Sequence, residues 1–101
     1  MILREIAYQR SGDKGNNVEV SLFPHKDVSL DLILKNVTEE KIRKHLSKYD
    51  FSKMITNKYI HLNFVQLVFL DILEGGVSVN KKMDRNGKAL GDVILELEIE
   101  S

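Results

Sequence analysis

Alternating apolar and polar positions predict strands near both ends of the chain. Residues 18–22 alternate strictly and predict a half-buried strand that Pro24 closes. Residues 2–8 predict a first strand, which we expect to pair with the second one in the antiparallel sense. Residues 77–83 alternate again, and residues 93–99 place apolar side chains opposite glutamates, as a strand with one face in solvent does. Between these two segments, Asn86-Gly87 is typical of a two-residue hairpin turn.

The middle of the chain carries helical signals. Residues 28–37 fit either a strand or a helix, and we favour a helix capped by Ser29 or Asp27. Thr38 begins a clearer helix, because its side chain can cap the first turn and two glutamates follow at the positive end of the helix dipole.

The most apolar stretch of the chain predicts a further strand and helix. Residues 58–62 suggest a short strand, and residues 64–73 are apolar on nearly every side, which is typical of a buried helix. Asn63 is then the expected N-cap, and Gly75-Gly76 the expected stop.

Together these elements predict an α+β fold, a two-layer sandwich in which a mostly antiparallel sheet carries helices on one face. The length of 101 residues suits a single domain over residues 1–101. With 43% hydrophobic and 30% charged residues, the composition is that of an ordinary globular protein.

Composition also excludes several classes of function. Fifteen basic residues balance fifteen acidic ones, so no global field draws the chain to nucleic acid or membrane. Without cysteine there is no disulfide, thiolate nucleophile or finger-type zinc site. The three histidines lack metal-ligand spacing, so we expect no metal and no other cofactor. The apolar stretch is too short to span a bilayer, and the first residues lack a signal peptide's apolar run, which predicts a cytoplasmic protein.

The candidate chemistry is concentrated in a polar run, R-S-G-D-K-G-N-N at residues 10–17, which is predicted to be a loop between the first two strands. Its two glycines permit positive φ, so that consecutive amides can converge on an anion while two side chains supply positive charge. An anion is also favoured at a helix N-terminus, where Asn63 is expected. The predicted binding residues are therefore Arg10, Ser11, Gly12, Asp13, Lys14, Gly15, Asn16 and Asn63.

The plainer alternative for this run is structural. Asp13 and Asn16 can cap local turns while Lys14 is merely solvated. No serine–histidine–acid triad can be picked out of the sequence, so a catalytic set is not assigned.

Four motifs carry a family resemblance: A-Y-Q-R-S-G-D-K-G-N-N at residues 7–17, L-N-F at 62–64, G-G-V at 75–77 and D-R-N-G-K at 84–88. With them the chain resembles the AtuA-like family, named for acyclic terpene utilisation, and specifically its small ferredoxin-fold domain. The resemblance implies a ferredoxin-like sandwich and a stand-alone version of a domain that otherwise follows a larger domain in one polypeptide. It also implies a larger AtuA-like partner and a setting in the catabolism of branched or terpenoid acyl-CoA compounds.

Three functional hypotheses remain open at this point. The leading one is a small accessory subunit that docks on a larger AtuA-like protein and contributes its polar run to a shared site for an acyl-CoA or carboxylate ligand. The second is a self-contained oligomeric acyl-CoA hydratase or lyase, with Asp13 as acid and base and Lys14 holding an oxyanion between subunits. The third is a structural module whose polar run braces an interface.

Overall fold

The computed structural model describes residues 1–72 and 88–100. Within these ranges the chain forms, in order, β1 (Ala7–Lys14), β2 (Asn17–Pro24), α1 (Leu30–Asn36), α2 (Glu39–His45), β3 (Lys53–Tyr59), β4 (Phe64–Leu70) and α3 (Lys88–Ile94), with short 3-10 helices at Leu3–Glu5 and Ile60–Leu62. The predicted helix stop at Gly75-Gly76, the strand at 77–83 and the turn at Asn86-Gly87 lie outside the described residues.

The four strands form one sheet in the order β1-β2-β4-β3, and every neighbouring pair is antiparallel. Helix α1 packs on the two central strands and α3 packs on β1. The predicted antiparallel pairing of the first two strands and the α+β fold class are therefore confirmed.

The core lies between the two central strands and the helices. Three positions of β2 are completely buried opposite three positions of β4, namely Val18, Val20 and Leu22 opposite Phe69, Leu67 and Val65. Burying such a side chain contributes about 1.5–3 kcal/mol. The half-buried strand predicted at residues 18–22, with Pro24 as its last residue, is confirmed.

Both helices predicted between residues 28 and 46 are present, and their caps are the predicted hydroxyl side chains. The Ser29 side chain accepts a hydrogen bond from the Asp31 amide at 3.1 Å. The Thr38 side chain accepts one from the Lys41 amide at 3.3 Å. Of the two caps proposed for α1, Ser29 is therefore the one used, because Asp27 instead takes a left-handed conformation with φ of 68°.

The strand predicted at residues 2–8 is wrong in its first half. The 3-10 helix Leu3–Glu5 occupies this region, and β1 begins only at Ala7. Leu3 and Ile6 are both buried. Their spacing of three residues is that of a 3-10 turn, whereas side chains on one face of a strand are an even number of residues apart.

The strand predicted at residues 93–99 is also wrong, although its pattern of burial is right. Helix α3 extends to Ile94, and the rest of the segment makes one isolated bridge between Ile2 and Glu98. Leu95, Leu97 and Ile99 are nevertheless buried, whereas the intervening glutamates are exposed. Leu95 and Glu96 form a turn after α3, in which the Glu96 and Leu97 amides donate to the Val93 and Ile94 carbonyls. The Leu97 carbonyl then accepts from the Leu3 amide, so these side chains are buried beside the N-terminal 3-10 helix and not in the sheet.

The C-terminal segment is fixed by a buried polar residue that the sequence analysis missed. Asn36 is only 1% exposed. Its side-chain amide donates to the Leu32 and Glu100 carbonyls, each at 2.9 Å, and its oxygen accepts from the Glu100 amide at 2.9 Å. The oxygen also accepts from Lys41 Nζ at 2.8 Å. Asn36 thus ties the end of α1 to the end of the chain.

The helix predicted at residues 64–73 is the largest error, because Phe64–Leu70 is the central strand β4. The strand predicted at 58–62 is displaced as well, since β3 covers Lys53–Tyr59 and a 3-10 helix follows. A short apolar run does not distinguish a buried strand from a buried helix by periodicity. Both faces of β4 carry apolar or amide side chains, so the polar alternation that marks a half-buried strand is missing.

Candidate functional site

The polar motif forms a hairpin and not the predicted loop. Its first five residues lie in β1, where Arg10 pairs with Ser21 and Lys14 with Asn17. Only Gly15 and Asn16 form the turn, and Gly15 has φ of 63°, as the first central residue of a type II′ turn does. The buried apolar side chains of β2 anchor the hairpin to the core. β1 can therefore pair with β2 without an apolar alternation of its own.

The backbone amides of the motif do not converge on one point as predicted. In an antiparallel ladder, successive N–H groups point to opposite sides of the strand. The amides of residues 10–14 therefore alternate between β2 and the outer edge of the sheet. Gly15 has a positive φ and Gly12 does not, so the two glycines do not share the role expected of them. The motif amides therefore do not form the concave anion site that the sequence predicts.

Strand alternation sorts the motif side chains onto two faces of the sheet. The open face, as we call it, consists of the even-numbered residues of β1 and β4 and the odd-numbered residues of β2 and β3. Arg10, Gly12 and Lys14 lie on this face, and the two cations are exposed. A Cβ at Gly12 would have no atom within 4 Å, so open space separates them. Glu19 stands opposite Gly12 on the neighbouring strand.

Of the other motif residues, Ser11 and Asp13 lie on the helix-covered face. There Ser11 Oγ donates to Gln9 Oε1, and Gln9 Nε2 donates to Asp92 Oδ1 at 3.4 Å. Helix α3 approaches β1 so closely that a Cβ at Gly91 would lie 2.3 Å from Gln9 Oε1. A shallow open cleft of about 510 Å³ lies beside this contact and is lined by Gln9, Arg10, Ser11 and Asp92.

Asn63 lies at the end of β4 that is farthest from the turn of the motif hairpin. It is the left-handed residue, φ 57°, that ends the second 3-10 helix, so it does not cap a helix that follows it. β4 begins directly after Asn63, whereas the motif hairpin adjoins the other end of β4, where Val18 pairs with Phe69. The length of β4, about 20 Å, separates the two places. Asn63 and the turn of the polar run therefore do not form one pocket.

A row of four stacked rings crosses the open face, one from each strand. We call Tyr8, Phe23, Phe64 and Tyr59 the aromatic row. Successive ring centroids are 5.2, 4.8 and 4.6 Å apart with interplanar angles of 14°, 23° and 11°. The His25 ring continues the row beyond Tyr8 at 5.8 Å. The sequence analysis missed this row, because it becomes visible only when the register of all four strands is known.

A polar row lies next to the aromatic row on the open face. Arg10, Ser21, Gln66 and Asn57 pair across the four strands in that order. Asn57 Nδ2 donates to Gln66 Oε1 at 3.1 Å, so the two amides satisfy each other in part. The motif cation Arg10 thus stands beside the stacked rings and in line with the amides.

The histidines lie at separate places in the fold. His45 Nε2 is 2.6 Å from the Val93 carbonyl, His25 stacks on Tyr8, and His61 is exposed in the second 3-10 helix. Within residues 1–72 and 88–100, no group of three His, Cys, Asp or Glu side chains could hold a metal ion. Over the same ranges, the helices are too short or too polar to cross a membrane.

We compared the chain with models of known protein families. A family model described as the AtuA ferredoxin-like domain matches residues 1–100. The chain belongs to this family. The match to the AtuA ferredoxin-like domain covers essentially the whole chain, so the motif hairpin and the aromatic row both lie inside it, and the resemblance inferred from the motifs is confirmed. Among curated proteins and among solved structures, no match was found.

Proposed function

We propose that this AtuA ferredoxin-like domain is a small accessory subunit that works with a larger AtuA-like protein and supplies Arg10 and Lys14 to an anion site shared by the two. The observation that carries the proposal is the placement of these two exposed cations on one face of one strand, on either side of Gly12. Family membership supplies the partner, because the resemblance implies a larger AtuA-like protein or domain.

The two cations can act on the same anion. Four residue steps along a strand separate Arg10 from Lys14, which is about 13 Å between Cα atoms. Both side chains are long, and the missing side chain at Gly12 leaves room for them and for a ligand between them. Glu19 supplies one negative charge opposite two positive ones, so the local field still favours an anion.

The chemistry of the two side chains fits a carboxylate or a phosphate. Arginine presents a planar fork that binds either group through two parallel hydrogen bonds, and lysine acts as a point charge beside it. An acyl-CoA ligand carries phosphates and, in the case of carboxylated intermediates, a carboxylate as well. The expected setting in acyl-CoA catabolism therefore supplies anions of the required kind.

A second surface is needed to complete such a site. Ligand pockets usually bury about 70–90% of a small molecule's surface, whereas the open face of a four-stranded sheet is a broad and nearly flat surface. A partner that covers the open face would supply the missing wall. This reasoning favours a subunit that shares a site over a domain that binds the ligand alone.

Titration of coenzyme A into the complex with the larger AtuA-like protein of the same organism tests the proposal. We expect Arg10→Ala and Lys14→Ala each to weaken coenzyme A binding about tenfold to a hundredfold, since a charge-assisted hydrogen bond contributes about 1.5–3 kcal/mol. Lys48→Ala, in the exposed turn after α2, is the matched control and should leave binding unchanged.

Two outcomes would count against the accessory role. Failure of the chain to associate with the larger protein would remove its basis. Turnover of acyl-CoA compounds by the isolated chain, abolished by Asp13→Asn, would instead support the self-contained enzyme.

A further inference from the structure

We infer that the aromatic row is the docking surface of this chain, and that it fits a protein surface with an apolar strip and a carboxylate placed opposite Lys53. The inference rests on the proposed function, because the larger AtuA-like protein is the partner it names. It adds which surface makes the contact and what chemistry the partner must present.

The exposure of the row is the first argument. Tyr8 and Tyr59, at its two ends, are 49% and 39% exposed. Ile60 follows Tyr59 directly and Leu62 comes two residues later, and these side chains are 59% and 68% exposed. The helices described here pack on the opposite face of the sheet. A contiguous exposed apolar patch of this kind is typical of an interaction site.

The stacking geometry indicates that the occupant is a protein and not a nucleic acid. Near-parallel rings with centroids only 4.6–5.2 Å apart cover one another's faces. The row therefore presents a ridge of ring edges to the solvent. A nucleobase stacks on an open ring face, so sheets that bind single strands leave those faces accessible. An apolar strip on a protein can pack against a ridge without needing the ring faces.

The charge of the open face specifies the partner further. Its strand positions carry three cations, Arg10, Lys14 and Lys53, and one carboxylate, Glu19. Two copies packed face to face would oppose like charges, which disfavours a homodimer through this face. Residues 73–87 of the same chain contain three basic and two acidic residues. They carry no net negative charge, so they do not complement the cations of the open face. Lys53 lies six residues from Tyr59 along β3, about 20 Å from the aromatic row. Because the proposed ligand occupies Arg10 and Lys14, a partner with an apolar strip and a carboxylate opposite Lys53 complements the face.

Affinity measurements with the purified larger AtuA-like protein test the inference. We expect Tyr8→Ser and Tyr59→Ser each to weaken the complex about tenfold or more, as loss of an anchoring tyrosine commonly does. Both side chains are partly exposed, so the variants should keep the wild-type circular dichroism spectrum and lose only the stability of the stacked pairs that each ring makes, about 0.5–1.5 kcal/mol per pair. Lys53→Glu should slow association about threefold or more, and the wild-type association rate should fall as salt rises. Lys48→Glu reverses an equally exposed charge away from the open face and should change neither rate.

The possible outcomes separate the inference from the proposed function. If the complex forms and the open-face variants bind like the wild type, the docking surface is wrong and the accessory role stands. If the wild type does not bind the larger protein, the accessory role fails and the inference fails with it. Concentration-dependent dimerisation that Tyr8→Ser and Tyr59→Ser abolish would assign the face to a second copy. Binding of a single-stranded RNA homopolymer that the same variants abolish would assign it to nucleic acid. Either result would overturn the inference.

Discussion

The contact between helix α3 and the motif strand offers a sharp test of the packing, through the substitution Gly91→Ala. Gly91 is buried in the middle of α3, against the side chains of Gln9 and Ser11. An added Cβ would lie 2.3 Å from Gln9 Oε1, 2.4 Å from Gln9 Cδ and 2.6 Å from Ser11 Oγ. These separations are far below van der Waals contact, so at least one of the neighbouring side chains must move.

The size of the effect follows from three contributions. Forcing an extra methyl group into a packed contact costs about 1–3 kcal/mol. If Gln9 moves away instead, its hydrogen bonds to Ser11 and Asp92 are lost, at about 0.5–1.5 kcal/mol each. Replacing glycine by alanine inside a helix returns about 1 kcal/mol. Gln9 is half-buried and can rotate towards solvent, so we expect a net destabilisation of about 1–2 kcal/mol, which lowers the melting temperature by roughly 5–10 °C.

A second background isolates the cause of this destabilisation. In Gln9→Ala two of the three close contacts are gone, and Ser11 can rotate its hydroxyl away. Gly91→Ala should then be neutral or stabilising by up to about 1 kcal/mol through helix propensity. The resulting double-mutant cycle has a coupling of about 2 kcal/mol. Urea unfolding of the wild type, both single variants and the double variant, followed by far-ultraviolet circular dichroism, measures it. An equal effect of Gly91→Ala in both backgrounds would refute the packing argument.

Three further substitutions test other parts of the fold by the same urea unfolding. Leu67→Ala should cost about 2–5 kcal/mol and Val68→Ala about 1 kcal/mol or less, because only the first side chain is fully buried; equal costs would contradict the alternation of β4. Gly15→Ala should cost about 1–2 kcal/mol because of its positive φ, whereas Gly12→Ala should be neutral or slightly stabilising; a larger cost at Gly12 would be unexpected. Asn36→Leu should cost roughly 2–4 kcal/mol by removing four hydrogen bonds, and faster amide exchange in the C-terminal segment should accompany it.

The parts of the fold that could be predicted depend on neighbours in sequence. Ser29 and Thr38 cap helices through amides two and three residues away, and the burial of β2 follows from its own alternation. These local signals were sufficient to predict an α+β sandwich. The family resemblance, which rests on motifs, agrees with it.

The parts that could not be predicted depend on partners distant in sequence. Phe64–Leu70 is a strand because β2 and β3 lie on its two sides, and its own residues fit a helix equally well. The same error placed Asn63 at a helix start and hid the pairing of Tyr59 with Phe64. The close contact at Gly91 could not be predicted either, because the residue that Gly91 touches, Gln9, lies about eighty positions earlier in the sequence.

The strand structure of the motif gives its residues two separable roles. In a loop, the side chains of residues 10–14 could all face one ligand, and every substitution would affect both folding and binding. In a strand, successive side chains lie on opposite faces. Ser11 then contributes to the packing of α3 on β1, because it donates a hydrogen bond to Gln9. Arg10 and Lys14 lie on the open face, and Arg10 stands in the row next to the aromatic row. We therefore expect substitutions at Gln9 and Ser11 to change the free energy of unfolding, and those at Arg10 and Lys14 to change association with ligand and partner while the fold stays intact.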